Sequence, residues 1–120
     1  METKEIADKL VAWCNKGDYQ SCYENLYSPD IVSIEPGGDN PVARGMGEVA
    51  KKGEWWAETF EVHSSSASEP TVAGNWFSVR FDMDTTHRAS GQRTQDSEIA
   101  VYEVKDGKIV KEQFFYDMKE

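Results

Sequence analysis

Cysteine is scarce in this chain, and basic charge is in deficit. Cys14 and Cys22 are too few for a disulfide framework, and their separation of eight residues fits no short metal motif. Both fall on apolar faces of helical segments and read as buried free thiols. Thirteen Lys and Arg stand against 22 Asp and Glu, a net charge of −9. A nucleic-acid binder needs a basic stripe to displace counterions from phosphates, and Lys51-Lys52 is the only local basic cluster. An acidic membrane surface would repel the chain. No apolar run approaches a membrane span, and Met1–Glu5 has no basic region leading into an apolar stretch. The expected location is therefore cytoplasmic, with no nucleic-acid or membrane partner.

What the chain does have is the makeup of one globular domain. Its 120 residues are 38% hydrophobic and 29% charged. A single domain over residues 1–120 of this size buries about two thirds of its unfolded surface, so neither disulfide nor metal is needed to hold it. Aromatics make up 12%, with four tryptophans, a supply of rings that suits a concave apolar site.

The first half reads as helical. Thr3 can cap a helix in which Ile6, Ala7, Leu10, Val11 and Cys14 share one face, and Gly17-Asp18 separates it from a second helix over about Asp18–Leu26. Ser28-Pro29-Asp30 stops that helix. Ile31–Glu35 reads as a short strand and Pro36–Pro41 as a loop. A third helix, about Met46–Phe60, puts Met46, Val49, Ala50, Gly53, Trp56, Ala57 and Phe60 on one face, and Gly53 there points to close packing.

The second half reads as strands. Glu61–Ser66 and Glu69–Val72 are short. Asn75–Thr86 alternates strongly, with Phe77, Val79, Phe81 and Met83 opposed to Trp76, Ser78, Arg80, Asp82 and Asp84. Thr94–Val104 and Lys108–Met118 flank the hairpin signal Asp106-Gly107. Helices followed by a meander of long strands is an α+β order.

Four segments carry a family resemblance across the whole chain. They are Asn15-Lys16-Gly17-Asp18; Leu26-Tyr27-Ser28-Pro29-Asp30 leading to Ile34-Glu35-Pro36; Ala43-Arg44-Gly45; and Asp106-Gly107-Lys108-Ile109-Val110. In this order and spacing the chain resembles the SnoaL-like branch of the nuclear transport factor two-like superfamily, with its ketosteroid isomerase-like, cystatin-like fold. The resemblance implies a cone-shaped curved antiparallel sheet wrapped around three N-terminal helices, with an internal pocket for a small apolar molecule. It also implies a homodimer through the outer sheet face and cofactor-independent chemistry as an isomerase, cyclase or epoxide-hydrolase-like enzyme. The superfamily also contains proteins without activity, so a noncatalytic binding module and a homodimeric interaction domain stand as alternatives.

Glu35 precedes Pro36 where the resemblance to ketosteroid isomerase implies a general base. A carboxylate base needs partial desolvation to bring its pKa near working pH. That enzyme's tyrosine and aspartate donors match Leu10 and Ala100 here. Arg80-x-Asp82 resembles part of the epoxide hydrolase constellation, in which both point inward. The last aspartate of that set falls at Phe114, and Glu112 is a possible substitute. By alternation alone, Arg80 and Asp82 form an exposed ladder. Glu98-Ala100-Tyr102 and Glu112-Phe114-Tyr116 can lie side by side on adjacent strands. If their shared face is concave, two carboxyls and two phenols enter the interior together; the opposite face, with Ile99 and Val101, is apolar enough to be the core instead. Trp56 and His63 complete the candidate ligand contacts. His63 with Glu98 and Glu112 has no metal-ligand spacing, and no glycine loop cradles a phosphate, so neither metal nor cofactor is expected.

Overall fold

The computed structural model describes residues 1–117. The order along the chain is α1 (Thr3–Asn15), α2 (Tyr19–Asn25), β1 (Tyr27–Ile34), β2 (Val42–Arg44), α3 (Gly45–Thr59), β3 (Phe60–Ala67), β4 (Thr71–Ala73), β5 (Trp76–His87), β6 (Arg93–Lys105) and β7 (Lys108–Phe115). Helix α1 buries Ile6, Ala7, Leu10 and Cys14 along one stripe. Its N-cap is Glu2, with no side-chain cap, so Thr3 opens the helix rather than capping it. Gly17 takes a left-handed φ of 72°, and the Asp18 carboxylate then caps α2 by accepting from the Ser21 amide at 3.1 Å. Cys14 and Cys22 are both buried and free.

The sheet runs β2-β1-β7-β6-β5-β3, with β4 on β5. It is mixed rather than wholly antiparallel, because β1 and β7 pair in parallel (Ser33 with Glu112, Ile34 with Gln113). Strand β1 is also longer than Ile31–Glu35. It starts at Tyr27 and passes through Pro29, with a register shift between Tyr27 and Val32. An irregularity there removes the need for a ladder donor at proline. The turn between β6 and β7 takes positive φ at Asp106 (52°) and Gly107 (75°), the mirror-image turn that suits the twist of a two-residue hairpin. The expected continuation of β7 to Met118 lies outside the described residues.

Strand alternation sorts the two faces. Phe77, Val79, Phe81 and Thr85 of β5 are buried with Ala100, Tyr102 and Val104 of β6 and Ile109 and Glu112 of β7. This inner face packs on α1 and α2. One row of register partners crosses it from Ala43 through Ser33, Glu112 and Tyr102 to Phe77. Phe77 and Tyr102 stack at 4.7 Å between centroids. Helix α3 behaves differently. Val49 is its one buried residue among those described; Trp56 is half-buried, and Ala57, expected on the apolar face, is exposed. Gly53 has the close neighbour expected of it: an added Cβ would sit 3.4 Å from the Tyr23 hydroxyl.

Candidate functional site

The functional candidates lie along the inner face, in an order that runs from sealed to open. At the sealed end, the Glu112 side chain is buried inside the protein. It accepts hydrogen bonds from the Tyr27 hydroxyl at Oε1 and from Ser33 Oγ at Oε2, the latter 2.7 Å. Burial pushes the Glu112 carboxyl up, while Tyr27, Ser33 and Lys52 pull it back. Tyr27 and Tyr102, both buried, are pushed well up by desolvation and by the nearby Glu112 charge. Every buried side-chain polar atom among the described residues has a partner.

Lys52 of α3 joins this end to the next. Its Nζ donates to Ser33 Oγ at 2.5 Å and to Glu35 Oε1 at 3.1 Å, and it lies 5.1 Å from the centre of the Phe114 ring. The other oxygen of Glu35 accepts from the Tyr116 hydroxyl at 3.0 Å. A continuous chain of hydrogen bonds therefore links Tyr27, Glu112, Ser33, Lys52, Glu35 and Tyr116. Desolvation and the neighbouring Glu35 carboxylate raise Tyr116.

Glu98 stands beside this chain without joining it. It lies two residues from Ala100 on β6 and opposite Phe81 of β5, so its side chain shares the inner face. No donor among the described residues reaches its carboxyl, and its oxygens are not sealed from solvent. Burial first, then the charges of Glu35 and Glu112, push its pKa up to about 7; Lys52 opposes them. A carboxyl with that value is split between acid and base near neutral pH.

The structure thus brings together Glu35, Glu98, Glu112, Tyr102, Phe114 and Tyr116, and it decides between the two faces of β6. Ile99, 51% exposed, faces outward with Phe115, and the Glu98 side faces in. Trp56, half-buried on α3 one turn beyond Lys52, packs on Phe60 at 5.7 Å. Three candidates are elsewhere. Arg80 and Asp82 form the exposed ladder, joined at 3.0 Å on the outer face, where Ser97 and Arg80 lower the Asp82 carboxyl. Their inward orientation, implied by the epoxide hydrolase likeness, is not found: they occupy the positions opposite in phase to Val79 and Phe81. His63 is also outside, its Nε2 2.7 Å from Thr86 Oγ1, away from Glu98 and Glu112. Two surface clefts follow the outer face. One of about 470 Å³ lies between Ser64, Ser66, Asp82, Asp84 and Gln95, and one of about 330 Å³ lies beside Ile99, Phe115, Glu98 and Tyr116.

Sequence reasoning missed Tyr27, Ser33 and Lys52. Two of them carried a signal. Ser33 is in phase with Ile31 and Glu35, and Lys52 is three residues beyond Val49 and four before Trp56, on the inward stripe of α3.

The model of the SnoaL-like domain matches residues 1–116. The chain belongs to the SnoaL-like family. A crystal structure from Mesorhizobium loti, named as a candidate SnoaL-like polyketide cyclase, is 37% identical to this SnoaL-like chain. It covers 97% of this chain and 100% of its own, with a TM-score of 0.93. Two more distant structures share the fold alone. A Xanthomonas campestris protein of unknown function with a cystatin-like fold has 22% identity, covers 98% and 92% of the two chains and has a TM-score of 0.79. A nuclear transport factor two-like protein of unknown function from Burkholderia pseudomallei has 17% identity, the same coverages and a TM-score of 0.79. No curated protein matches the sequence. No helix among the described residues is long and apolar enough to cross a membrane.

Proposed function

We propose that the open end of the inner face binds a small apolar molecule and that Glu98 exchanges a proton with it, as cofactor-independent isomerases, cyclases and hydrolases require. The observation that carries this reading is Glu98 itself. It is a carboxyl without a donor, on the inner face, with a pKa raised to about 7 by burial and by Glu35 and Glu112. Near neutral pH its ionised form can take a proton from an activated C–H or from water, leaving a neutral acid that returns the proton at a second position. The Tyr116 hydroxyl, bonded to Glu35 and 37% exposed, is the donor placed to turn toward a developing oxyanion. Phe114 and Trp56 supply ring surface for an apolar guest, and Tyr102 and Glu112 support the site from behind. Arg80, Asp82 and His63 take no part in this reading.

The test is binding first and turnover second. Apolar ketones, esters and epoxides are screened by thermal shift, since a ligand of the folded state raises the melting point even without reaction. A hit should perturb the amide resonances of Glu98, Phe114 and Tyr116, and Glu98→Gln should abolish turnover while keeping the fold. Hits that map only to the cleft between Ser64, Ser66, Asp82, Asp84 and Gln95, or full activity in Glu98→Gln, would refute the proposal.

The outer face favours a second reading, a homodimeric interaction domain. Ile99 and Phe115 are register partners there, 51% and 48% exposed, with Trp76 at 42% on the same face. Sedimentation as a monomer at micromolar concentration would remove it. Free thiols fit a reducing compartment, and a cytoplasmic location belongs to the same proposal.

A further inference from the structure

We propose that Lys52 is the positioning residue of this site: one ammonium ties Glu35 to Ser33 and, through Ser33, to Glu112, and so leaves Glu98 as the carboxyl that takes up and gives away the proton. The inference rests on the acid–base reading of Glu98 above and adds the group that decides among three carboxyls.

Three acids, Glu35, Glu98 and Glu112, share the inner face with a single cation from α3. Lys52 has three N–H donors. One goes to Ser33 Oγ at 2.5 Å and one to Glu35 Oε1 at 3.1 Å, while the ammonium lies 5.1 Å from the centre of the Phe114 ring. Because Lys52 donates to Ser33, the Ser33 hydroxyl proton is free to point to Glu112 Oε2, 2.7 Å away. Tyr27 donates to the other oxygen of Glu112, and Tyr116 to the other oxygen of Glu35. Each of these carboxyls therefore accepts at both oxygens, and such donors favour the charged form of a carboxyl. Glu98 accepts from no described residue. The third acid is left with the charge of the other two, which is the arrangement that makes one member of a like-charged group hold a proton.

The charged and titratable groups around Glu98 come from four directions. Glu35 follows β1, Lys52 lies on α3, Glu112 lies on β7 with Tyr116 just beyond it, and Asp96 and Tyr102 share its own strand β6. Phe81, opposite on β5, brings no charge. Among the described groups that shift Glu98, Lys52 is the sole cation; Arg80, in the outer cleft beside Glu98, is paired with Asp82. Removal of Lys52 leaves the other groups that shift Glu98 all acting to raise it, and such a change moves a carboxyl midpoint by about 1 pH unit or more.

Carboxyl-carbon NMR titration of the full chain, with Lys52→Met and Lys52→Arg, reads this directly and needs no substrate. In the native protein the Glu98 resonance should titrate near neutrality. In Lys52→Met its midpoint should rise by about 1 unit, and in Lys52→Arg it should return close to the native value. Lys52→Gln, which keeps a donor for Ser33 without the charge, gives the same reading if the methionine variant does not fold. A Glu98 midpoint near neutrality that stays put in Lys52→Met and Lys52→Gln overturns the role of Lys52 and leaves the acid–base reading standing. A native Glu98 midpoint in the ordinary carboxylate range, or Glu35 or Glu112 titrating near neutrality instead, overturns both.

Discussion

The two ends of the inner face are built on the same strands and put to different uses. Toward the β6–β7 hairpin, Phe77, Tyr102, Val104 and Ile109 close on Ile6, Leu10 and Leu26, and even the charged side chain there, Glu112, is fully partnered. Toward the other end of β6 the inward positions Glu98, Asp96 and Thr94 are only half-buried, and α3 contributes one buried residue, Val49. A buried carboxyl with two donors is held in place, and a half-buried one with none is the candidate for proton exchange. The same residue type, 14 positions apart in the chain, thus stands in two environments because one end of the sheet is covered by α1 and α2 and the other only by the edge of α3.

Stability should follow that division. Phe77→Ala, at the closed end, should cost about 3–5 kcal/mol by urea unfolding, whereas Trp55→Ala, 60% exposed at the open end, should stay within about 0.5 kcal/mol. Equal costs would mean that the two ends are packed alike. Tyr27→Phe deprives buried Glu112 of a donor and should cost about 1–3 kcal/mol at pH 7. The loss should shrink as pH falls and Glu112 protonates, and a pH-independent loss would indicate a packing effect instead. The smallest change is expected outside. Asp82→Ala removes an exposed ion pair with Arg80 and should move stability by less than about 1 kcal/mol, with ligand binding unchanged. Loss of binding in that variant would return Asp82 to the site.

Much of this division was legible in the residues, and the exceptions have physical causes. The alternation of β5 placed Phe77, Val79 and Phe81 inside because that strand has polar residues on its other face. Strand β6 offered no such contrast: Ile99 and Val101 compete with Ala100 and Tyr102, and only the burial of Ala100 and Tyr102 in the core that also holds Ile6, Ala7 and Leu10 of α1 settles the phase. The start of β1 was hidden by Pro29, which sits in a register shift, and the parallel pairing with β7 joins segments nearly eighty residues apart, beyond the reach of local patterns. Lys52 read only as half of the local basic cluster Lys51-Lys52. The helix places Lys51 in solvent and turns Lys52 inward, because they are one residue and hence about 100° apart on the helix.

In the proposed function Glu98 is a desolvated carboxyl whose proton affinity is raised by folding. An acid whose pKa is higher folded than unfolded favours the native state below its ordinary value of 4.5, and that advantage is lost as pH rises through about 7. Urea unfolding of the native protein and of Glu98→Gln, compared from about pH 4.5 to pH 8, reads this residue together with its coupling to the neighbouring Glu112. The native protein should lose on the order of 2 kcal/mol relative to the variant across that range, so that Glu98→Gln is the more stable protein at the alkaline end. Parallel curves would contradict the account, because they would show a carboxyl that folding leaves in water.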